Sequence, residues 1–400
     1  MKNSIKYKGN ELKYLEKVLN SKNWSATSGS WNNKLEKEFA KKFGVKYAIS
    51  MNSGTSSLHS ALVACGVKPG DEVLTPALTV MMDTTAILHA NAIPVYVDVD
   101  KETFNINPLD IEKKITPKTK AIIAVALYGL LPDMDIIIKI AKKHKLKVIE
   151  DNAQSFLTNG YKLKGDFASY SFENTKHLSC GEGGMLITNN KKYAELVRKI
   201  GGHGFKNLRA SEGRVRLKEN IFQNPNYKRH DILGWNYRLS EFSAAIVLAQ
   251  LEKYKELVRL RKVSAELFLD IIKDCDYLIP QKVSAGFVNS YYTLGVVFEG
   301  EKYGISWEKF RKKYIKFGGD GIYSAWAVPY LEPVISTGEF IKHNLHIYKD
   351  VKYKKGLCSV AESIQPKLMQ FKTNYRNLAL ADEKAESLRK TIKYFIGKKK

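Results

Sequence analysis

The chain has 400 residues, 44% of them hydrophobic, and sets 65 Lys and Arg against 41 Asp and Glu for a formal charge of +24. That length and apolar content suffice for one large domain with a smaller companion, while no apolar run reaches the roughly 18 residues that cross a bilayer, and the opening MKNSIKYKGNELKYLE holds no apolar stretch to act as a secretory signal. The positive charge is mostly lysine, spread along mixed stretches such as 142–147 and 252–256 with acids interleaved, whereas a nucleic-acid surface concentrates charge, adds arginine and interleaves exposed aromatics; only the tail 397–400 is an unbroken basic run, read as a solvated end.

In chain order, short apolar runs predict strands over Tyr47–Met51, Glu72–Thr75, Ile93–Val97, Ala121–Val125, Lys147–Glu150, Ser169–Phe172 and Met185–Thr188. Amphipathic stretches between them predict helices, including Ser57–Cys65, Met82–Ala90 and Met134–His144. Strands alternating with crossover helices make an α/β domain with a mainly parallel sheet. Residues 201–230, rich in Gly, Asn, Arg and Lys, have no period and read as a long functional loop. Ser240–Arg261 is strongly helical, and beyond it the pattern changes to strand-like runs such as 290–298 mixed with helices. The expected division is a large domain over 1–255 and a smaller α+β C-terminal domain over 256–400. Cys65, Cys180, Cys275 and Cys358 lie far apart with no CxxC pair, which indicates neither a disulfide framework nor a zinc site, and no metal is expected. The reading is a cytoplasmic protein with reduced thiols.

Three places carry chemistry. SGTSSL at 53–58 follows a strand and opens a helix, so the backbone N–H groups at Gly54 and the hydroxyls of Thr55 and Ser56 suit a phosphate, though the same residues suit an ordinary capped helix start. Asp151 ends a later strand, at the carboxyl edge where open parallel sheets bind ligands; it can meet a cationic ligand atom or simply cap local backbone. Lys176 stands between a short apolar strand and the turn of Gly181, Gly183 and Gly184, where an amine held out of bulk water can attack a carbonyl. A phosphate cradle, a strand-end aspartate and a sheltered lysine are the three anchors of pyridoxal 5'-phosphate.

Six landmarks in order, SGTSSL (53–58), KPGDEV (68–73), PVYVDVD (94–100), EDNAQ (150–154), the Ser171 to Gly184 segment with Lys176, and LGWNYRLSE (233–241), resemble the sugar aminotransferases of the DegT/DnrJ/EryC1/StrS family from about residue 10 to about residue 265. The resemblance implies a fold type I pyridoxal-phosphate aminotransferase, a homodimer with active sites shared between subunits. It implies that Lys176 bonds to the cofactor and later moves the proton, that Asp151 keeps the ring nitrogen protonated, and that Gln154 lies near the ring. Gly54, Thr55 and Ser171 match phosphate ligands, with Ser56 beside them, and Asn236 matches an asparagine reaching the neighbouring subunit's site. Arg229, His230 and Arg238 are substrate-binding candidates by their place in the chain.

By the same resemblance, an amino acid, L-glutamate, gives its amino group to make pyridoxamine 5'-phosphate, which passes it to a nucleotide-linked 4-keto-6-deoxyhexose for polysaccharide or glycoconjugate synthesis. Family 3-dehydratases carry histidine in place of the lysine; here the lysine is kept and His177 follows it, which implies transamination. A sugar 3-dehydratase and a non-catalytic cofactor-binding regulator are the alternatives. The chain departs from the family at Val80, where an aromatic stacks on the cofactor, at Ala126, where a histidine is frequent, and over 322–330, which replaces a histidine-containing segment.

Overall fold

The computed structural model describes residues 8–397 except 158–159, 215–216, 325 and 344; the last three lysines of the basic tail fall outside them. A seven-stranded sheet in the order β1-β7-β6-β5-β4-β2-β3 carries the first half of the chain. Its strands are β1 (Tyr47–Met51), β2 (Glu72–Pro76), β3 (Ile93–Val97), β4 (Thr119–Val125), β5 (Lys147–Asp151), β6 (Phe167–Ser171) and β7 (Gly184–Thr188). β7 is antiparallel to both its neighbours, with Met51 and Ser171 each opposite Gly184, and the other pairings are parallel. These strands are legible as near-continuous apolar runs because helices cover both faces: all of β7 and the last four residues of β5 are buried.

The covering helices are α1 (Glu11–Leu19), α2 (Trp31–Phe43), α3 (Gly54–Ala64), α4 (Met81–His89), α5 (Pro108–Lys114), α6 (Met134–His144) and α7 (Lys191–Gly201), followed by the short α8 (Glu219–Phe222) inside the long loop. Side-chain caps start several of them: Asn107 accepts from Leu109 N, Asp133 from Asp135 N and Ile136 N, and Asn190 from Tyr193 N. A buried ion pair ties α2 to α7, with Arg198 Nη2 at 2.8 Å and Nη1 at 3.1 Å from the two oxygens of Glu36. Glu36 also accepts from the backbone and hydroxyl of Ser50 on β1, and Arg198 Nε donates to Ala210 O in the loop.

The segment expected as one helix over 240–261 is two, α9 (Glu241–Glu252) and α10 (Tyr254–Ile272). The chain bends at Lys253, whose ammonium lies 2.7 Å from Glu11, while Glu252 accepts from Tyr14 at 2.5 Å. Contacts with α1, which local sequence cannot show, set the break. α10 begins in the core shared by α2 and β6 through Tyr254 and Leu257, and its Phe268 and Ile272 enter a second core. That core covers a four-stranded sheet, β10-β11-β9-β8, of β8 (Leu278–Pro280), β9 (Thr293–Phe298), β10 (Tyr323–Ser324) and β11 (Leu368–Lys372), backed by α11 (Trp307–Lys316). Three short helices follow, α12 (Pro333–Ser336), α13 (Leu345–Tyr348) and α14 (Ser359–Ile364), then α15 (Leu378–Ile396) packs on α10 and α11. The stretch that bears α12 to α14 returns to the first sheet: Tyr348 donates to Ala92 O, Tyr353 to Pro94 O, and the Val360 and Ala361 N–H groups to Asp98. Among the described residues no helix is long and apolar enough to cross a membrane, and none of the four cysteines is in a disulfide.

Candidate active site

Because β7 alone runs backwards, the C-terminal ends of β1, β2, β4, β5 and β6 meet its N-terminus along one edge of the large sheet. The residues singled out from the sequence at 54–56, 151, 154, 171 and 176 all lie on the segments that leave this edge.

At the start of α3, Ser53 and Ser56 close a reciprocal capping box, with Ser56 N donating to Ser53 Oγ at 3.0 Å and Ser53 N to Ser56 Oγ at 3.1 Å. The two readings of SGTSSL are therefore compatible: the buried Ser56 hydroxyl serves the cap, and the first-turn N–H groups of Gly54 and Thr55, for which no intrahelical carbonyl is in reach, could hold an anion. Ser171 stands directly against Gly54, since a methyl on Gly54 would come 3.1 Å from Ser171 Cβ. Gly184 closes the cradle from behind: a methyl there would lie 2.3 Å from Ser53 O and 2.8 Å from Gly54 N. Gly184→Ala is accordingly expected to displace the 53–54 backbone, at about 1–3 kcal/mol of stability, and to weaken cofactor phosphate binding. Titration of the apo-protein with pyridoxal phosphate checks this, and an unchanged affinity would refute the cradle.

Asp151 is 2% exposed at the end of β5, and its Oδ1 accepts from Ala153 N at 2.9 Å. Burial raises its pKa, while the charge of Lys176 and the Ala153 N–H act against the rise. Gln154, also buried, accepts from Tyr128 N at 2.8 Å, and its Nε2 has no protein partner among the described residues. Lys176 is half-buried on the loop after β6, and its Nζ lies 4.4 Å from the centre of the Tyr292 ring. The loop is fixed from below by Arg261 of α10, which is buried and donates to Thr175 O and Tyr292 O at 2.5 and 2.6 Å. His177 points away into the core, with Nε2 3.0 Å from Ser290 O, and burial drives its pKa well down, so the ring there is neutral. Gly181, at φ 91°, turns the chain back toward β7.

The remaining candidates lie elsewhere. Arg229 donates to Phe222 O and sits over the Phe222 and Tyr227 rings, holding its own loop. His230 Nδ1 is 2.6 Å from His203 O, and Arg238 Nη2 is 3.0 Å from His203 Nε2. Asn236 is exposed on the ribbon beside β1, its carbonyl accepting from Asn52 at 3.3 Å. None of the four joins Asp151 and Lys176 within this chain.

Several residues at the site escaped the sequence reading. Asp83, one turn into α4, is fully buried against Asp151. Tyr292 and Arg261 come from the far side of the chain, and with Thr175, Tyr323, Trp326 and Lys372 they line a cavity of about 610 Å³ that opens beside the Lys176 loop. A four-residue spacing of Thr79 and Asp83 in an otherwise apolar stretch was the one local signal for Asp83.

The donor set fits pyridoxal phosphate: an anion cradle at Gly54, Thr55 and Ser171, a buried carboxylate at Asp151, an amide with an unmet Nε2 at Gln154, and an amine at Lys176. The profile of the DegT/DnrJ/EryC1/StrS aminotransferase family matches residues 6–317. The chain is 37% identical to GDP-perosamine synthase of Escherichia coli O157:H7 over 265 residues, 65% of this chain and 68% of that one. It is 39% identical to GDP-perosamine synthase of Caulobacter vibrioides over 260 residues, 64% of this chain and 65% of that one. The aminotransferase of Psychrobacter cryohalolentis superposes with a TM-score of 0.84 at 25% identity, over 98% of this chain and 99% of the other.

Proposed function

The chain belongs to the DegT/DnrJ/EryC1/StrS aminotransferase family and is a pyridoxal-phosphate-dependent sugar aminotransferase, and from that premise we propose that it moves the amino group of L-glutamate to a nucleotide-linked 4-keto-6-deoxyhexose. The observation that carries the acceptor is the cavity beside Lys176, where the faces of Tyr323 and Trp326 suit a sugar ring and Lys372 and Arg261 lend positive charge. The relatives named as GDP-perosamine synthases support a GDP-linked sugar. The chain's charge of +24 favours capture of a diphosphate.

When bound, pyridoxal phosphate supplies an electron sink for the substrate carbanion. Gly54, Thr55 and Ser171 would hold its phosphate, and Asp151 would keep a proton on its ring nitrogen. Gln154, whose Nε2 has no partner among the described residues, would be free to donate to the cofactor. The amine of Lys176 would hold the cofactor in the resting enzyme and would then be free to accept and return a proton during transfer. The exposed Asn236 is read as reaching the site of a second copy in a homodimer.

Mixing the cofactor-loaded protein with L-glutamate should bleach its visible band and release 2-oxoglutarate, after which a GDP-linked keto-sugar should regain the band and emerge as an amino sugar. A product lighter by one water would assign the dehydratase instead. A band that no amino acid alters would assign a regulator.

A further inference from the structure

The site holds a second carboxyl that the family roles leave unused. Asp83 is 0% exposed, its Oδ2 accepts from Thr79 Oγ1 at 2.6 Å, and its Oδ1 meets no donor among the described residues. The group it faces is the carboxyl of Asp151, itself 2% exposed and near enough for each to act on the other's ionisation. The other titratable groups bearing on the pair are Lys176 from the loop after β6 and Tyr96 of β3, whose hydroxyl lies 3.1 Å from Thr84 Oγ1.

Two carboxylates so near each other, both out of water and with no donor between them, cannot both be ionised, so the pair keeps one proton. Burial and the Asp151 charge push Asp83 well above the usual carboxylate range, and burial raises Asp151 as well. The hydrogen that the pair retains belongs on the oxygen that lacks a donor, Asp83 Oδ1, and it is donated to Asp151.

We propose that Asp83 is a positioning residue for the cofactor, a neutral carboxylic acid whose O–H orients the Asp151 carboxylate and stabilises its ionised form. The inference rests on Asp151 being the partner of the cofactor's ring nitrogen. A carboxylate that already accepts one proton-bearing group competes less for the ring's proton, so the proton stays on nitrogen; the pair carries one negative charge and the protonated ring one positive. No net proton is taken up or released by the pair when the cofactor binds.

The test compares Asp83→Asn, Asp83→Ala and Asp151→Asn by titrating each apo-protein with pyridoxal phosphate, alongside apo-protein stability against pH. Asparagine can both accept from Thr79 and donate to Asp151, so D83N should bind within about threefold of the parent, while D83A should bind about ten- to a hundredfold more weakly. Because the folded pair titrates above the unfolded value of about 3.9, its contribution is fully present below that value and is lost as pH rises through the folded one. The parent apo-protein should therefore lose stability toward alkaline pH relative to D83N. Infrared spectra of the apo-protein at neutral pH should contain a protonated-carboxyl band that D83N lacks. If D83N binds as poorly as D83A, or the band is absent, Asp83 is ionised and the inference falls. If D151N keeps the parent's affinity, the role of Asp151 falls first; if D151N is weak and both Asp83 variants bind normally, Asp83 alone has been misassigned.

Discussion

Replacing Lys176 with alanine is expected to lower kcat by about a thousandfold or more while the protein stays folded. The Lys176 ammonium lies 4.4 Å from the centre of the Tyr292 ring, a contact that contributes about 0.5–1 kcal/mol, and its charge also bears on Asp151 and Asp83. The loop that carries it is held by other groups: Arg261 grips Thr175 O and Tyr292 O, and Thr175 Oγ1 lies 2.7 Å from the Tyr292 hydroxyl. Loss of turnover with an unchanged circular dichroism spectrum and melting curve would place the defect in chemistry. Retained turnover would remove Lys176 from the mechanism, and a collapsed melting curve would recast it as a structural residue.

The largest loss of stability is expected from Arg198→Met. This guanidinium and the Glu36 carboxylate are 5% and 7% exposed, joined by two hydrogen bonds. Removing the arginine leaves a carboxylate buried, with only Ser50 among the described residues to donate to it, a situation that costs about 3–5 kcal/mol. Glu36→Gln should also be destabilising, because it strands the cation. The double variant should lose less than the sum of the two, since each single change already destroys the same pair. Denaturant unfolding of the four proteins measures the cycle; strict additivity would mean that the pair is not coupled. Because the pair gathers α2, α7, Ser50 of β1 and the loop at Ala210, its loss should also loosen the segment that leads to Asn236.

How far the sequence reveals this protein depends on how far apart the cooperating residues lie. The strands of the large sheet were legible because both their faces are covered: Ala121 to Val125 is wholly buried and reads as an unbroken apolar run. The candidate anchors at 53–55, 151 and 176 could be singled out because each sits near the end of a strand, at a turn. Asp83 was not, since locally it is only an acid in the first turn of a helix, a favourable place for any aspartate; what distinguishes it is burial against Asp151. Arg229 and His230 show the same limit, for nothing in their neighbourhood reveals that within this chain they bond to Phe222 O and His203 O. The bend at Lys253 likewise comes from α1, far away in the chain.

The reversed strand β7 has a consequence for how the protein is made. It lies between β1 and β6, so those two strands are not paired with each other, and although Gly54 and Ser171 stand side by side, Gly184 closes the candidate cradle from behind, against Ser53 O and Gly54 N. A nascent chain that has emerged as far as β6 holds both walls without the strand that backs them, and the sheet between β1 and β6 closes when residues 184–188 slide in as its last plank. Pairing of such distant segments is slow compared with helix formation. Uptake of pyridoxal phosphate during refolding should therefore lag behind helix recovery and keep time with the insertion of that one strand.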